Sequence, residues 1–449
     1  MATQDLPRTL GLVDATVVVV GIVIGAGIFL VPNLVARNLP SESLILAVWI
    51  FSGVLSFFGA LAYAELGAMM PCTGGQYVYL REAFGPLCAF LSGWTFSIVM
   101  LSSAIAWLAV GFSIYLSQFV PLSKPMAKAV SIGLIAVLTT INYRGVRAGV
   151  AVQRTFTALK LAGIAVLVGG AFLAGGHAIV AATPLPSPFP WSQFGVAMIS
   201  CLLCYDGWAS ISFIAGEVRR PDRNLPLALA LGLGICVCVY MLANVAYLHV
   251  LTVPEIAGAD AVGAAAARKA IGSLGGGLVS LTILISIVGA DNGHFLTVPR
   301  ILFAQASDGL FFQSFRRIHP RFQTPSFSIL AQGSWAALLA LTGSYEALMT
   351  YAMFAAWLFY GATVASVLVL RRKHPHAKRP YRMWGYPVTT LAFVAVALWF
   401  VGNTIVSKPG ASLLGALLIG AGVPVYYVWR RRSPDGQFAG VAQGISDSR

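Results

Sequence analysis

Two long apolar segments of the chain are interrupted by glycine, one near the start of each half. The first passes through Gly21, Gly25 and Gly27, and the second starts at Met198 and reaches Gly207. In hydrocarbon an unpaired backbone N–H or C=O costs several kcal/mol, so a broken membrane helix must line a cavity or be buried in protein. Two such breaks at corresponding places of two repeats predict a transporter-type binding site.

The composition predicts a polytopic membrane protein. Of the 449 residues, 58% are hydrophobic and 10% are charged, whereas soluble domains carry about 25% charged residues. Apolar runs of about 18 to 25 residues, long enough to cross a bilayer, recur along the chain. The sequence therefore predicts an all-α integral membrane protein with twelve spans, at 11–35, 43–69, 87–118, 126–143, 155–175, 193–215, 227–250, 272–304, 327–343, 346–370, 386–406 and 411–429.

The distribution of charge predicts the orientation. The net charge is +14, but most Lys and Arg residues fall in the termini and in the loops that follow even-numbered spans. The positive-inside rule then places both termini in the cytoplasm. No small-residue cleavage site follows a short apolar core, so the first span is retained. The basic excess thus reflects topology, with anionic lipid contact at Arg371–Arg382, rather than nucleic-acid binding.

The spacing of the two breaks predicts one transporter domain over 1–432. With five helices per unit, the sixth span enters the membrane from the face opposite to the first. Two inverted repeats, 8–175 and 193–371, are therefore available, with two additional helices at 386–432. The polar tail 433–449 is predicted to be disordered.

The first break predicts a site for a carboxylate. Gly25, Ala26 and Gly27 let the chain leave helical geometry, and the half-helix that follows presents free N–H groups and a positive dipole end. Close helix packing is the alternative, because Gly21 and Gly25 also form a small-xxx-small pair.

The second break predicts acceptors for an ammonium group. Unwound carbonyls around Leu203, Cys204 and Asp206 could receive it, with Tyr205 as a wall of the pocket. Asp206 is a carboxylate at mid-membrane depth, where ionisable residues are usually functional. It could bind the substrate amine, titrate, or cap the broken helix, and capping is favoured.

Lys160 lies well inside the fifth span, two turns from Gln153. One interpretation is a fixed ammonium that replaces a coupling cation and contacts the carbonyls of helix one. The other is simple snorkelling to the interface.

Polar residues also occur in the eighth span. Ser286 and Asn292 could line the cavity or serve hydrogen-bonded packing, and Asp291 and His294 are weaker candidates for a water-filled path. Glu65 is interpreted as a gate or loop anchor. The predicted substrate-binding set is completed by Ile24, Ile28, Ser103, Gly207 and Phe354.

Several classes are excluded by what the chain lacks. The six His residues are scattered without ligand spacing, and Cys201-x-x-Cys204 has no second pair, so we predict no metal, no cofactor and no enzyme. A channel would need a charged or carbonyl filter, and the sequence contains none. The cysteines predict no structural disulfide.

At these motifs the sequence resembles the amino acid–polyamine–organocation (APC) superfamily, and above all bacterial homologues of its L-amino acid transporter branch. The matching motifs are Gly25-Ala-Gly-Ile-Phe29, Ala62-Tyr-Ala-Glu65 with Pro71, Gly74, Gly75 and Tyr77, Tyr205-Asp-Gly-Trp208 with Glu217, Pro221, Arg223 and Pro226, and Gly289 with Asn292, Gly293, Arg300, Asp308 and Gly309.

The resemblance implies a LeuT-type 5+5 inverted repeat with helices 1 and 6 unwound, and transport by alternating access. It implies that Gly25–Gly27 hold the substrate carboxylate and that the carbonyls near Leu203 hold the amine. Lys160 matches a helix-five lysine that takes the place of sodium in several members. Leu203 stands where many relatives carry an aromatic gate.

We therefore expect sodium-independent transport of neutral L-amino acids, with exchange as the mode, in the plasma (inner) membrane. Proton-coupled symport and antiport of cationic amino acids or polyamines are the alternatives. The expected partners are the amino acid and membrane lipids. The loop 119–126 has no cysteine of the kind that links animal members to a heavy chain, so no heavy-chain subunit is implied.

Overall fold

The backbone is helical throughout its described part. The computed structural model describes residues 6–176 and 189–432, and for residues 345–354 and 432 it describes the backbone alone. Helices and turns make up these ranges, without a β-strand, apart from one isolated parallel bridge between Leu10 and Val218. The predicted all-α class is confirmed.

Nineteen α-helices occupy this part of the chain. They are α1 Leu12–Val23, α2 Gly27–Leu30, α3 Pro32–Asn38, α4 Glu42–Met69, α5 Gln76–Phe84, α6 Pro86–Trp94, α7 Leu101–Leu116, α8 Lys124–Tyr143, α9 Val146–Leu173, α10 Trp191–Tyr205, α11 Pro221–Val250, α12 Val253–Gly258, α13 Val262–Ile271, α14 Ser273–Thr297, α15 Pro299–Ser307, α16 Ser326–Thr342, α17 Tyr345–Lys373, α18 Val388–Ser407 and α19 Pro409–Arg432. A π-helical turn, Thr95–Met100, joins α6 to α7, and 3-10 helices cover Trp208–Glu217 and Gln313–Arg316.

Ten helical stretches of the described residues are long and apolar enough to cross a membrane. They are Leu12–Leu30, Glu42–Met69, Pro86–Leu116, Lys124–Tyr143, Val146–Leu173, Trp191–Glu217, Pro221–Val250, Ser273–Ser307, Val388–Ser407 and Pro409–Arg431. The other two predicted spans, 327–343 and 346–370, fall on α16, which has 17 residues, and on α17. The total of twelve stays a prediction.

The structure corrects two boundaries. The fifth helix, α9, begins at Val146 rather than at 155. The polar residues that interrupt its apolar pattern, Gln153 and Thr157, are buried against neighbouring helices, so polarity there does not mark a helix end. Likewise α11 begins at Pro221 rather than at 227, because proline suits the first turn of a helix.

The predicted loop 251–271 contains two short helices, α12 and α13. A capping box starts α12, in which the Thr252 hydroxyl accepts the Glu255 amide and the Glu255 carboxylate accepts the Thr252 amide. Glu255 also pairs with Lys269 of α13 at 2.9 Å. This loop is therefore ordered by local hydrogen bonds.

Helix α1 lies at the centre of the bundle and packs against α9, α11 and α14. Its Val18 and Val19 are fully buried. Gly232 of α11 lies so close that a Cβ at that position would be 2.7 Å from the Val19 side chain. Close approach through small residues is how helices pack inside a bilayer.

The N-terminal segment closes one end of the bundle. The amides of Thr9 and Leu10 donate to the carbonyl of Glu217 at 2.9 and 3.0 Å, and the Arg219 amide donates to the carbonyl of Leu10 at 2.8 Å. The segment before α1 is thus fastened to the segment after the broken helix α10.

Three ion pairs reinforce that end. Glu217 pairs with Arg300 at 2.8 Å, with both side chains at most 1% exposed. Asp308 pairs with Arg81 and also accepts a hydrogen bond from the Tyr77 hydroxyl at 2.6 Å. Together with the backbone bonds of Glu217, these contacts hold the segments at this end of the bundle together.

Glu65 forms the third ion pair. Its carboxylate accepts from Arg371 at 2.9 and 2.6 Å and from the amide of Met383 at 2.8 Å. Glu65 is 2% exposed, and these bonds join α4 to α17 and to the segment that follows it. The contacts fit the predicted role of a loop anchor.

Candidate functional site

The first break separates α1 from α2. Helix α1 ends at Val23, and Ile24 departs from helical geometry with φ −78° and ψ 86°. Within the described part of the chain, the amides of Ala26, Gly27 and Ile28 have no acceptor. A Cβ at Gly25 would meet no atom within 4 Å. The break therefore presents free N–H groups beside open space.

The second break separates α10 from the 3-10 helix. Asp206 is extended with ψ 153°, and Gly207 follows with φ +110°, a conformation that favours glycine. A Cβ at Gly207 would lie 2.5 Å from Cγ2 of Ile22. Glycine is thus required both by the backbone angle and by the close approach of α1.

The two breaks lie side by side. A Cβ at Gly27 would lie 2.8 Å from Sγ of Cys204, and Gly207 abuts Ile22. Residues far apart in sequence therefore bring free amides of the first break next to unwound carbonyls of the second.

Lys160 reaches the first break from α9. Its ammonium nitrogen donates to the carbonyls of Gly21 at 2.8 Å, Ile24 at 2.7 Å and Ser286 at 3.2 Å, and the residue is fully buried. An ammonium group has three N–H donors, so the three carbonyls satisfy all of them. The snorkelling interpretation does not fit a side chain whose ammonium is bonded inside the bundle.

Tyr240 of α11 connects the two breaks, and sequence reasoning missed it. Its hydroxyl lies 2.7 Å from the carbonyl of Val23 and 2.9 Å from that of Cys204. A hydroxyl carries one proton, so the two carbonyls share a single donor. Tyr240 is one of several tyrosines in apolar helices, and no motif or spacing in the chain marks it.

Asp206 is held by α17. Its Oδ1 accepts from the Tyr360 hydroxyl at 2.8 Å, and the carboxylate also accepts from the Gly207 amide. These bonds fit the favoured capping interpretation. Asp206 as a whole residue is nevertheless of intermediate exposure.

The other predicted residues of the second break take different positions. Leu203 is 40% exposed. Tyr205 is buried in an aromatic cluster with Trp49 and Tyr240, at ring distances of 6.0 and 5.0 Å. Its side chain therefore packs in the core, and only its backbone belongs to the break.

The side chains of three further predicted residues were also expected to line the site. Ile28 is fully buried, and the Ser103 hydroxyl donates to the Val99 carbonyl of its own helix at 2.6 Å. The side chain of Phe354 lies outside the described residues. The roles predicted for these residues stay predictions.

Asn292 forms a buried hydrogen-bond network. Its amide donates to the carbonyl of Gly149 at 2.9 Å and to Oε1 of Gln153 at 2.6 Å, and its Oδ1 accepts from Asn142 at 3.0 Å. This network ties α14 to α8 and α9, as the packing interpretation expects. Ser286 contributes its carbonyl to Lys160, while its hydroxyl has no partner.

Metal-type clusters do not occur among the described residues. No group of three His, Cys, Asp or Glu side chains there could hold a metal ion. Cys201 and Cys204 are buried free thiols.

Comparison with known proteins gives consistent matches over almost the whole chain. A profile described as amino acid permease matches residues 10–428. The serine/threonine exchanger SteT of Bacillus subtilis is 32% identical over 439 residues, which is 96% of this chain and 99% of that protein.

Mammalian relatives match as well. The b(0,+)-type amino acid transporter 1 of Mus musculus is 33% identical over 441 residues, 96% of this chain and 89% of that protein. The Asc-type amino acid transporter 1 of Mus musculus is 30% identical over 442 residues, 95% of this chain and 82% of that protein.

Proposed function

The chain belongs to the amino acid permease family of the APC superfamily, and from that premise we propose that it exchanges neutral L-amino acids without sodium. The family consists of membrane transporters and not enzymes. Relatives named as a serine/threonine exchanger and as amino acid transporters support amino acids as the substrate and exchange as the mode.

The architecture we propose is the LeuT-type inverted repeat. Residues 8–175 and 193–371 form the two repeats, and residues 386–432 add two helices. In this proposal the protein lies in the plasma membrane, crosses it twelve times and has both termini in the cytoplasm. The adjacent breaks after α1 and α10 support this arrangement. The tail 433–449 lies outside the described residues.

The substrate carboxylate binds the first break in this proposal. The acceptor-free amides of Ala26, Gly27 and Ile28 and the open space at Gly25 support it. Amides at the start of a helix attract anions. The alternating-access cycle then carries the bound amino acid from one side to the other.

The substrate ammonium binds carbonyls of the second break. The Cys204 carbonyl is already bonded to Tyr240 and the Leu203 carbonyl to the amide of Asp206, which leaves the carbonyls of Tyr205 and Asp206 as acceptors. Ile24 and Leu203 form apolar walls of the pocket, as far as its residues are described.

The position of Lys160 is the observation that carries sodium independence. Its ammonium occupies three carbonyls of α1 and α14, which is the kind of oxygen cluster that would otherwise bind a cation. A bonded ammonium leaves no room there for sodium.

The charge of Asp206 decides between neutral and cationic substrates. Its bonds to Tyr360 and to the Gly207 amide favour a structural role and hence neutral substrates. Its partial exposure supports a second candidate, antiport of cationic amino acids or polyamines. Asp206→Asn would abolish transport of cationic substrates if the second candidate holds.

Transport into proteoliposomes tests the proposal. Labelled neutral amino acid should enter vesicles that contain unlabelled substrate, equally with and without sodium, and should not enter empty vesicles. Sodium-dependent uptake would refute the role of Lys160, and accumulation driven by a proton gradient alone would favour symport over exchange. Purified protein without any partner subunit should suffice.

A pair of glycine variants tests the carboxylate site. Positions 25 and 133 both have free space for a side chain, so neither variant is expected to disturb packing. Gly25→Leu should abolish exchange because its side chain fills the open space, whereas Gly133→Leu should leave exchange unchanged. Normal exchange by folded Gly25→Leu would refute the site.

A further inference from the structure

Asp291 is a buried carboxylate that the proposed binding site does not use. It is 0% exposed, and neither of its oxygens has a hydrogen-bond partner among the residues that the structure describes. Ionisable groups at membrane depth are rare and usually mark ion or proton pathways. Asp291 therefore needs its own explanation.

The position of Asp291 on α14 separates it from Lys160. A Cβ at Gly289 would lie 3.1 Å from the Lys160 ammonium nitrogen, and one at Gly293 would lie 2.3 Å from Ile22. Two residues along a helix correspond to a turn of about 200°. Asp291, midway between the two glycines, thus points away from the face that contacts α1 and α9.

Asp291 lies instead on the side of α14 that faces α7. Val288 and Phe295, three residues before it and four after it, pack in a cluster with Ile105 and Ala106 of α7. These neighbouring side chains are apolar. An ionised carboxylate without a hydrogen-bond donor is strongly disfavoured in apolar surroundings.

His294 is the other ionisable side chain of α14. It lies one turn further along α14, where residues three apart are neighbours on the helix surface. Its Nδ1 has no partner among the described residues, and the residue is 8% exposed whereas Asp291 is not exposed at all. Along the chain His294 lies nearer than Asp291 to Arg300, which pairs with Glu217.

Ionisable side chains on the elements packed against α14 do not neutralise Asp291. Those with partners elsewhere are Lys160 with three carbonyls, Arg154 with Asp14, Arg300 with Glu217, Lys128 with the Leu341 carbonyl, and Lys269 with Glu255. The remaining ones lie near helix ends and have no bond to Asp291: Tyr115, Lys124, Tyr143, Arg147 and Arg268.

We propose that Asp291 binds one proton in the closed bundle and releases it through His294 when the end closed by Glu217 and Arg300 opens. The O–H bond of the carboxyl breaks on opening, the proton leaves to water, and an equal proton returns before closure. This inference rests on the proposed exchange cycle. It adds that the cycle depends on the binding of a proton to Asp291.

Infrared spectroscopy of the purified protein tests the proton site without transport. At neutral pH the wild type should show a protonated-carboxyl band that Asp291→Asn lacks, while Glu255→Gln, which removes a carboxylate exposed by 45%, should retain it. A difference spectrum without such a band would overturn the proposal. Asparagine matches the neutral acid in shape, so the variant should fold.

The pH dependence of exchange tests the link to the cycle. With equal pH on both sides, wild-type exchange should slow by up to about tenfold per pH unit as pH rises, because closure needs a proton. Asp291→Asn should exchange at a rate that does not change with pH, and Glu255→Gln should behave like the wild type.

The outcomes separate the two proposals. The proton role would be overturned if wild-type exchange did not depend on pH, or if the pH dependence persisted in Asp291→Asn. Either result would leave the proposed exchange intact. Absence of exchange at every pH would refute the proposed function and the proton-linked cycle together. The infrared band would then decide only whether Asp291 holds a proton.

Discussion

The ammonium nitrogen of Lys160 lies 2.7 Å from the carbonyl oxygen of Ile24, the residue at which helix α1 loses its regular geometry. A side chain from α9 thereby satisfies a carbonyl that the break leaves without its helical partner. The contact links the conformation of the proposed carboxylate site to a fixed positive charge.

Replacing Lys160 should therefore impair both stability and transport. Lys160→Met keeps the length of the side chain but leaves the carbonyls of Gly21 and Ile24 without a donor, at about 1–3 kcal/mol for each unsatisfied group. We expect a lower melting temperature and loss of exchange in proteoliposomes. Lys128→Met is the matched control, because its ammonium also donates to a carbonyl, that of Leu341, but in an exposed position. Equal behaviour of the two variants would contradict the prediction.

The shared hydroxyl of Tyr240 should matter more for transport than for stability. Tyr240→Phe removes one donor, worth about 1 kcal/mol, but it disconnects the carbonyls of Val23 and Cys204. Exchange should fall at least several-fold while the melting temperature changes little. Tyr247→Phe, on the same helix with a buried hydroxyl that has no partner in the described part of the chain, should exchange normally. Full activity of Tyr240→Phe would show that the connection is dispensable.

Gly27 and Cys204 should be energetically coupled. An added methyl group at Gly27 would lie 2.8 Å from Sγ of Cys204 but 3.7 Å from its Cβ, so only the sulfur causes the clash. Gly27→Ala should weaken substrate binding, and the double variant with Cys204→Ala should recover part of it. A double-mutant cycle on the substrate dissociation constant measures the coupling. Additive effects would mean that the two breaks do not touch as described.

The buried pair of Glu217 and Arg300 should be far more sensitive than an exposed one. Glu217→Gln leaves Arg300 without its counter-charge, at about 3–5 kcal/mol, whereas Glu255→Gln removes a pair exposed by 45% and 48%, at about 0–1 kcal/mol. In thermal unfolding in detergent, Glu217→Gln should lower the melting temperature much more than Glu255→Gln does.

A double variant separates charge from packing at the same place. Glu217→Leu with Arg300→Met should be more stable than Glu217→Gln, because two apolar side chains leave no unpaired charge. If Glu217→Gln is as stable as Glu255→Gln, the pair does not hold that end of the bundle.

Local features of the chain were predictable. The breaks at Gly25–Gly27 and at Gly207 were predicted from glycines inside apolar runs, because glycine lets the backbone leave helical geometry within a membrane span. The depth of Lys160 followed from its distance to the nearest polar residues. Its three carbonyl partners agree with the interpretation that it contacts helix one.

Long-range contacts were not predictable in the same way. Asp206 was expected to cap its own helix, but Tyr360, 154 positions later in the chain, supplies a donor. The fifth span was predicted to begin at 155, which left Gln153 outside it, yet Gln153 lies within α9 as a fully buried partner of Asn292. A polar residue looks alike in sequence whether it faces water or another polar residue inside the bundle.

The sequence by itself determined the membrane class, the helical breaks and the buried position of Lys160, because these depend on hydrophobicity and on backbone geometry along a single segment. Only the tertiary structure decided that Tyr240 joins the two breaks, that Glu217 meets Arg300, and that Asp291 has no partner among the described residues. Those relationships depend on how helices rotate and approach one another, and in a bilayer that is set by close packing and by hydrogen bonds between segments.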